Sequence, residues 1–182
     1  MGMKNKKRVI MILGILIVVG IFIISIFGRN TAIKLSLKDF CQEDEFLYGQ
    51  TKWGDSVEDV KQTFPTALEI DTYRSFGENV FYNAKKPFLL DGQKADVSLE
   101  FLNDQLQVIQ FSFNLSDNSE EWVEKQIEQL QDLIGMEDEQ YDNSAEPLPS
   151  VGYRWDTENA TLQVVWIKGT DDTSVIFSLG HK

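Results

Sequence analysis

The chain has 182 residues, with 17 Lys plus Arg against 29 Asp plus Glu, one Cys and one His. Residues 1–30 hold five cations and no acid, and residues 31–182 hold twelve cations and all 29 acids, so a tip of +5 precedes a body of −17. That body excludes a nucleic-acid binder, whose affinity rests on Lys and Arg contacts to phosphate. One His and one Cys exclude His/Cys zinc cages, a Ser-His-Asp triad and an internal disulfide framework.

Val9 to Gly28 is a run of twenty uncharged residues, which as a helix spans about 30 Å, the thickness of a bilayer's hydrocarbon core. Lys4, Lys6, Lys7 and Arg8 precede it, so the positive-inside bias puts the N-terminus in the cytoplasm and the body outside. The run exceeds the roughly 7 to 15 residues of a secretory h-region and no A-x-A site follows, which predicts an uncleaved signal-anchor. The expected organisation is a cytoplasmic tip over 1–8, a transmembrane anchor over 9–28, a juxtamembrane linker over 29–47 and an extracytoplasmic domain over 48–182. Cys41 follows Lys38, Asp39 and Phe40 rather than small residues, so it is not a lipid attachment site.

In the linker, Leu37, Phe40, Cys41 and Phe46 or Leu47 form the stripe of a short helix. Asp55 or Ser56 caps a helix whose Val57, Val60 and Phe64 fall at i, i+3 and i+7 and which Pro65 ends. Val80–Tyr82, Ala95–Phe101 and Leu106–Phe113 read as strands, the last two joined at Asn103–Asp104. A second helix starts at Ser119, with Val123, Ile127, Leu130 and Ile134 on one face and Gly135 past its end. Met136 to Ser150 is acidic and carries two prolines, which predicts a mobile loop. Tyr153–Trp155, Thr161–Ile167 and Ser174–Leu179 complete the strands.

Helix, three strands, helix, three strands is the predicted order, with helix starts 64 residues apart at Asp55 and Ser119. The expected fold is α+β: a transmembrane helix, then a tandem helix-plus-three-strand repeat with halves over about 48–115 and 116–182. The repeat forms one antiparallel sheet backed by both helices.

Trp53, Gly54, Ser56 and Val60, within Tyr48 to Val60, resemble the glycine, cap and inward valine of a helix entry in one superfamily. Its members include the small outer-membrane-assembly lipoproteins and the secreted β-lactamase inhibitor proteins. Phe101-Leu-Asn-Asp-Gln-Leu106 resembles the strand-turn-strand that follows, so the likeness covers residues 48–114, and the second half only by order of elements. It implies an extracytoplasmic protein-binding module. The chain lacks the lipobox and the cysteine pairs of these relatives, and Pro65 stands where the family has a glycine.

Trp53 and Tyr153 lie at element edges and are the aromatic residues expected to contact a partner. Glu137, Asp138 and Glu139 are the acidic contact, and the body's charge predicts a partner with a basic surface. No acidic cluster has calcium-loop spacing, so no metal, cofactor or catalytic residue is assigned. The alternative is a membrane-bound hydrolase of envelope polymers working through a carboxylate pair, which requires a cleft acid of raised pKa.

Overall fold

The computed structural model describes residues 32–42, 45–115, 119–143, 145, 149–169 and 173–182, and Ala32–Lys182 forms one compact unit. Its strands are β1 (Ile33–Leu35), β2 (Cys41–Gln42), β3 (Glu45–Phe46), β4 (Leu68–Ile70), β5 (Asn79–Ala84), β6 (Phe88–Leu90), β7 (Gln93–Leu102), β8 (Gln105–Leu115), β9 (Glu139–Asp142), β10 (Ser150–Asp156), β11 (Ala160–Lys168) and β12 (Thr173–His181). The helices are α1 (Val57–Thr63) and α2 (Ser119–Ile134), with a single 3₁₀ turn at Leu37–Phe40.

Ten strands make one sheet in the order β1-β6-β7-β8-β12-β11-β10-β9, with β4 and β5 attached to β7. β7 has ten residues, long enough to pair β6 over its first three and β5 over its last five. β1 joins β6 in parallel, so the sheet is mixed. β12 lies antiparallel between β8 and β11, joining the earlier strands to the later ones in the middle of the sheet. The β7–β8 register shifts between Glu100 and Phe101, and the extra residue returns Leu106 to the face of Ile109, Phe111 and Phe113.

This architecture corrects the expected fold. The sheet is a mixed ten-stranded one rather than a tandem helix-plus-three-strand repeat backed by two helices. Its apolar face is covered by a composite layer: Val123, Ile127 and Leu130 of α2, Leu37 and Phe40 of the 3₁₀ turn, Phe46, Tyr48 and Phe64. α1 buries only Val60 fully, so it is no counterpart of α2. Ser36 and Asp39 close a capping box around one turn, and the chain then reverses through the β2–β3 hairpin, so the expected helix over the linker does not form. Residues 139–142, inside the expected loop, form the edge strand β9 on β10. The transmembrane and signal-anchor assignment is corrected too: no helix among the described residues is long and apolar enough to cross a membrane. The run 9–28 on which it rested lies outside the described residues, as do the tip 1–8, Glu43, Asp44, Asp171 and Asp172.

Local signals account for the ends of the elements. Ser56 caps α1 in a capping box with Asp59, whose amide donates to the Ser56 hydroxyl at 3.2 Å, while Asp55 accepts from the Lys52 amide at 2.8 Å. Gly135 ends α2 at φ +93°, and its carbonyl accepts from Trp155 Nε1 at 2.9 Å, which ties β10 to the helix end.

The opposite face of the sheet is bare of any described element. Residues paired across antiparallel strands share a face, so Asn83, Ser98, Gln110, Ser178, Gln163 and Arg154 run in one row across six strands. Uncharged amides and hydroxyls dominate that row, as a solvated face requires. At its far edge Tyr141 lies over Gly152, where a Cβ would meet the ring at 1.9 Å, and its hydroxyl accepts from Gln163 Nε2 at 3.2 Å. The ring fills the space that glycine leaves.

Candidate functional site

The connection between β4 and β5, residues 71–78, folds at the other end of the bare face. Asp71 organises it: its Oδ1 accepts from the Tyr73 amide at 3.1 Å and the Arg74 amide at 3.2 Å, and its Oδ2 from Asn83 Nδ2 at 3.2 Å. Its own amide donates to the Phe81 carbonyl at 2.8 Å. Ser75 adds a second lock, since its hydroxyl donates to the Asp71 carbonyl at 2.6 Å and accepts from the Phe81 amide at 2.9 Å. Phe76 and Asn79 exchange both backbone bonds, at 2.9 and 3.1 Å, around Gly77 at φ +61°. The amides of Asp71, Tyr73, Arg74, Ser75 and Phe76 and the carbonyls of Asp71, Phe76 and Glu78 are thereby held.

Asp71 shows the balance of forces. Desolvation opposes its ionisation, but the bonds from Asn83 and the Arg74 and Tyr73 amides, with the Arg74 charge, outweigh it and hold its pKa below the usual 3.8. Arg74 lies with its guanidinium 4.2 Å from the Phe81 ring centroid and its Nη1 3.4 Å from the Ser98 hydroxyl, which clamps the loop to the bare face.

On this held backbone Tyr73 is 101% exposed and Phe76 is 90% exposed. The Phe76–Asn79 bridge continues into the Asn79–Leu102 pair, so Phe76 and Leu102 share a face on either side of Asn79, roughly 10 Å apart. Leu102 is itself 45% exposed. Two exposed aromatic rings and a half-exposed leucine thus lie together on a turn pinned by Asp71 and Ser75, an arrangement that marks a contact surface.

The residues expected from sequence to contact a partner fall elsewhere. Trp53 is half-buried and stacks on His181, with ring centroids 5.9 Å apart and 16° between planes. Its indole nitrogen is buried. Tyr153 is half-buried and stacks on Trp155 at 6.5 Å. Burial first, then the negative charge of Glu137, pushes the Tyr153 hydroxyl above its ordinary pKa, despite a hydrogen bond with Gln140. Glu137 accepts from Gln131 Nε2 at 2.8 Å, Asp138 accepts from the Asp156 amide at 2.7 Å, and Glu139 pairs with Arg154 at 3.7 Å. The structure therefore brings Tyr153 and Glu137 together at the end of α2. It uses Asp138 to close the β9–β10 edge, sets Glu139 on the bare face, and leaves Trp53 apart. Tyr73 and Phe76 were missed. The available signal was two isolated aromatics in the turn-rich run DTYRSFGEN, where no alternation gives either ring a core-facing register.

A groove of about 570 Å³ lies between α2 and the β1–3₁₀ segment, floored by Leu35, Leu37, Leu90 and Gln126. Lys38, Asp132 and the Asp91–Lys125 ion pair at 2.7 Å leave its surroundings nearly neutral. No group of three His, Cys, Asp or Glu side chains able to hold a metal occurs among the described residues. The displaced carboxylates Asp71, Asp91 and Asp156 are all displaced downward, opposite to what a general acid needs. Fold and loop together define a β-rich domain that displays an aromatic turn at the margin of an uncovered sheet face. No known protein family, curated protein or solved structure matches the chain.

Proposed function

We propose that this chain is a protein-binding or assembly module of the cell envelope that engages its partner through Tyr73 and Phe76. The observation that carries the reading is the exposure of both rings on a turn pinned by Asp71 and Ser75. A free loop would fold such rings against its own sheet, because apolar surface left in water is unfavourable. Aromatic anchors held in place lose little conformational entropy on binding, which is why they dominate interface energetics. The row of amides and hydroxyls on the bare face offers the polar surround that such a contact needs. Placement at the envelope rests on the charge division between residues 1–30 and the body, and the resemblance of residues 48–114 points to the same class of activity.

The test is site-specific photocrosslinking in intact cells, with a photoreactive residue at position 73 or 76 and, as control, at Glu128 on α2. A discrete protein adduct from 73 and 76 and none from 128 is the expected result. Absence of a protein adduct from both loop positions removes the reading. Protease added to whole cells checks the location, since protection of the body until lysis contradicts placement outside.

A further inference from the structure

We infer that the partner surface receiving Tyr73 and Phe76 is an apolar pocket ringed by Lys and Arg on a different protein, not a second copy of this chain and not an anionic lipid surface. The inference rests on the binding-module reading and adds the chemistry of the partner. Charge around the loop carries it. Four carboxylates lie on the loop and on the bare-face side of its neighbouring strands: Glu69, Asp71, Glu78 and Glu100. Two cations stand among them, Lys85, 3.6 Å from Glu69, and Arg74, committed to Phe81 and Ser98. Lys61 lies over Tyr82 on the opposite face of the sheet. The local balance is −2, on a body whose balance is −17.

Two of these carboxylates are already held from within. Asp71 accepts from the Tyr73 and Arg74 amides and from Asn83 Nδ2, and Glu100 accepts from Asn79 Nδ2 at 2.8 Å. They are fixed negative charges that cannot swing away from an approaching surface. Glu78 is exposed, and its carbonyl accepts from the Asn103 amide at 3.0 Å, which places it beside the β7–β8 turn between Phe76 and Leu102. Any surface that buries the rings must lie against this anionic rim.

The three occupants of such a patch separate on that ground. A two-fold dimer sets the same patch against itself, so −2 would face −2, and like-charge contact of this kind opposes association. An anionic leaflet repels the body as a whole, although its interface accepts Tyr and Phe readily. A protein pocket lined by apolar groups and edged by cations meets both requirements. Burying the two rings removes roughly 300 to 500 Å² from water, a large share of the ~800 Å² that one partner contributes to a stable interface.

The experiment uses the full-length chain in intact cells with a photoreactive residue replacing Phe76, and reads adduct mass and yield. The rim is varied by Glu78→Gln and Glu78→Lys. The Glu78 side chain forms no hydrogen bond or ion pair among the described residues, so both variants keep the fold, which circular dichroism and thermal melting verify. Asp132→Lys on α2 is a remote reversal of equal charge. The expected result is an adduct with a second protein whose yield falls about threefold for Glu78→Gln and about tenfold for Glu78→Lys, is unchanged in Asp132→Lys, and weakens as salt rises from about 0.05 to 0.5 M. An adduct of twice the chain's mass, or a heterologous adduct indifferent to Glu78, overturns the inference and leaves the binding-module reading standing. A lipid adduct alone, or none, overturns that reading itself.

Discussion

Tyr48, Phe64, Phe88 and Phe111 meet in a buried cluster, with Tyr48 within 5.3 to 5.7 Å of the other three rings. Tyr73 and Phe76, of the same two residue types, stand wholly in water. The difference lies in the backbone beneath them. Phe88 and Phe111 occupy inward positions of β6 and β8, and Tyr48 and Phe64 sit where the chain enters and leaves the α1 region. Asp71 and Ser75 hold residues 71–78 in a turn that points Tyr73 and Phe76 away from every inward position. Side-chain hydrophobicity therefore decides only that a ring gains by leaving water. The backbone decides whether the surface it meets belongs to this chain or to another.

The sharpest way to break that contrast is to truncate one ring from each group. Phe111→Ala, at 0% exposure and in contact with Phe40, Tyr48 and Phe88, is expected to cost about 3–5 kcal/mol in urea unfolding. A loss below about 1 kcal/mol would mean that the cluster is not the centre of the core. Gly152→Ala comes next. Its Cβ must displace the Tyr141 ring, the far end of a side chain, so the loss is the ring's packing and its bond from Gln163, about 1–2 kcal/mol. Tyr141→Ser combined with Gly152→Ala should cost little beyond Tyr141→Ser alone, which a double-mutant cycle measures.

The two regions also separate by pH. Burial of Tyr48, reinforced by the charge of Asp39, pushes its hydroxyl up to about 12. Its folded pKa lies above the ordinary 10, so its contribution to stability is complete below pH 10 and is lost as pH rises towards 12. Asp71 has a folded pKa below its ordinary 3.8, so its contribution is present above that value and disappears as pH falls below it. Alkali should therefore loosen the core cluster first, seen in the Tyr48 ultraviolet titration. Acid should loosen the loop first, seen in the Tyr73 and Arg74 amide resonances. A loop that keeps those resonances through the acid titration would show that Asp71 is not its organiser.

The smallest expected effect tests the contrast most directly. Tyr73→Ser with Phe76→Ser should change unfolding free energy by less than about 0.5 kcal/mol each, because neither ring packs on the chain. Tyr73→Ser in a chain that carries the photoreactive residue at position 76 should cut the yield of the loop adduct. A large loss of stability would place the rings in a folding role and withdraw them from the contact surface.

Much of the local structure was legible in the residues. Val97, Leu99 and Phe101 alternate in β7 as their pattern requires, and Val123, Ile127 and Leu130 line the buried side of α2. Gly135 ends that helix as a C-terminal glycine should. The linker misled because the spacing of Leu37, Phe40 and Phe46 suits a helix or a turn followed by a hairpin, and only burial under the sheet selects the second. The acidic run after Gly135 misled because polarity signals exposure, and an edge strand can be exposed and still paired. The contact surface was the least legible part. Trp53 and Tyr153 stood out by size and position, yet Trp53 stacks on His181 at the far end of the chain and Tyr153 stacks on Trp155 and packs against the core.

By itself the sequence determined the charge division, the periods of the long strands and of α2, the caps and the turns, since each depends on residues within a few positions of one another. Tertiary structure alone decided the parallel pairing of β1 with β6, the central place of β12 and the exposure of Tyr73 and Phe76. These depend on which surfaces remain free after distant segments have packed, and no local pattern carries that information.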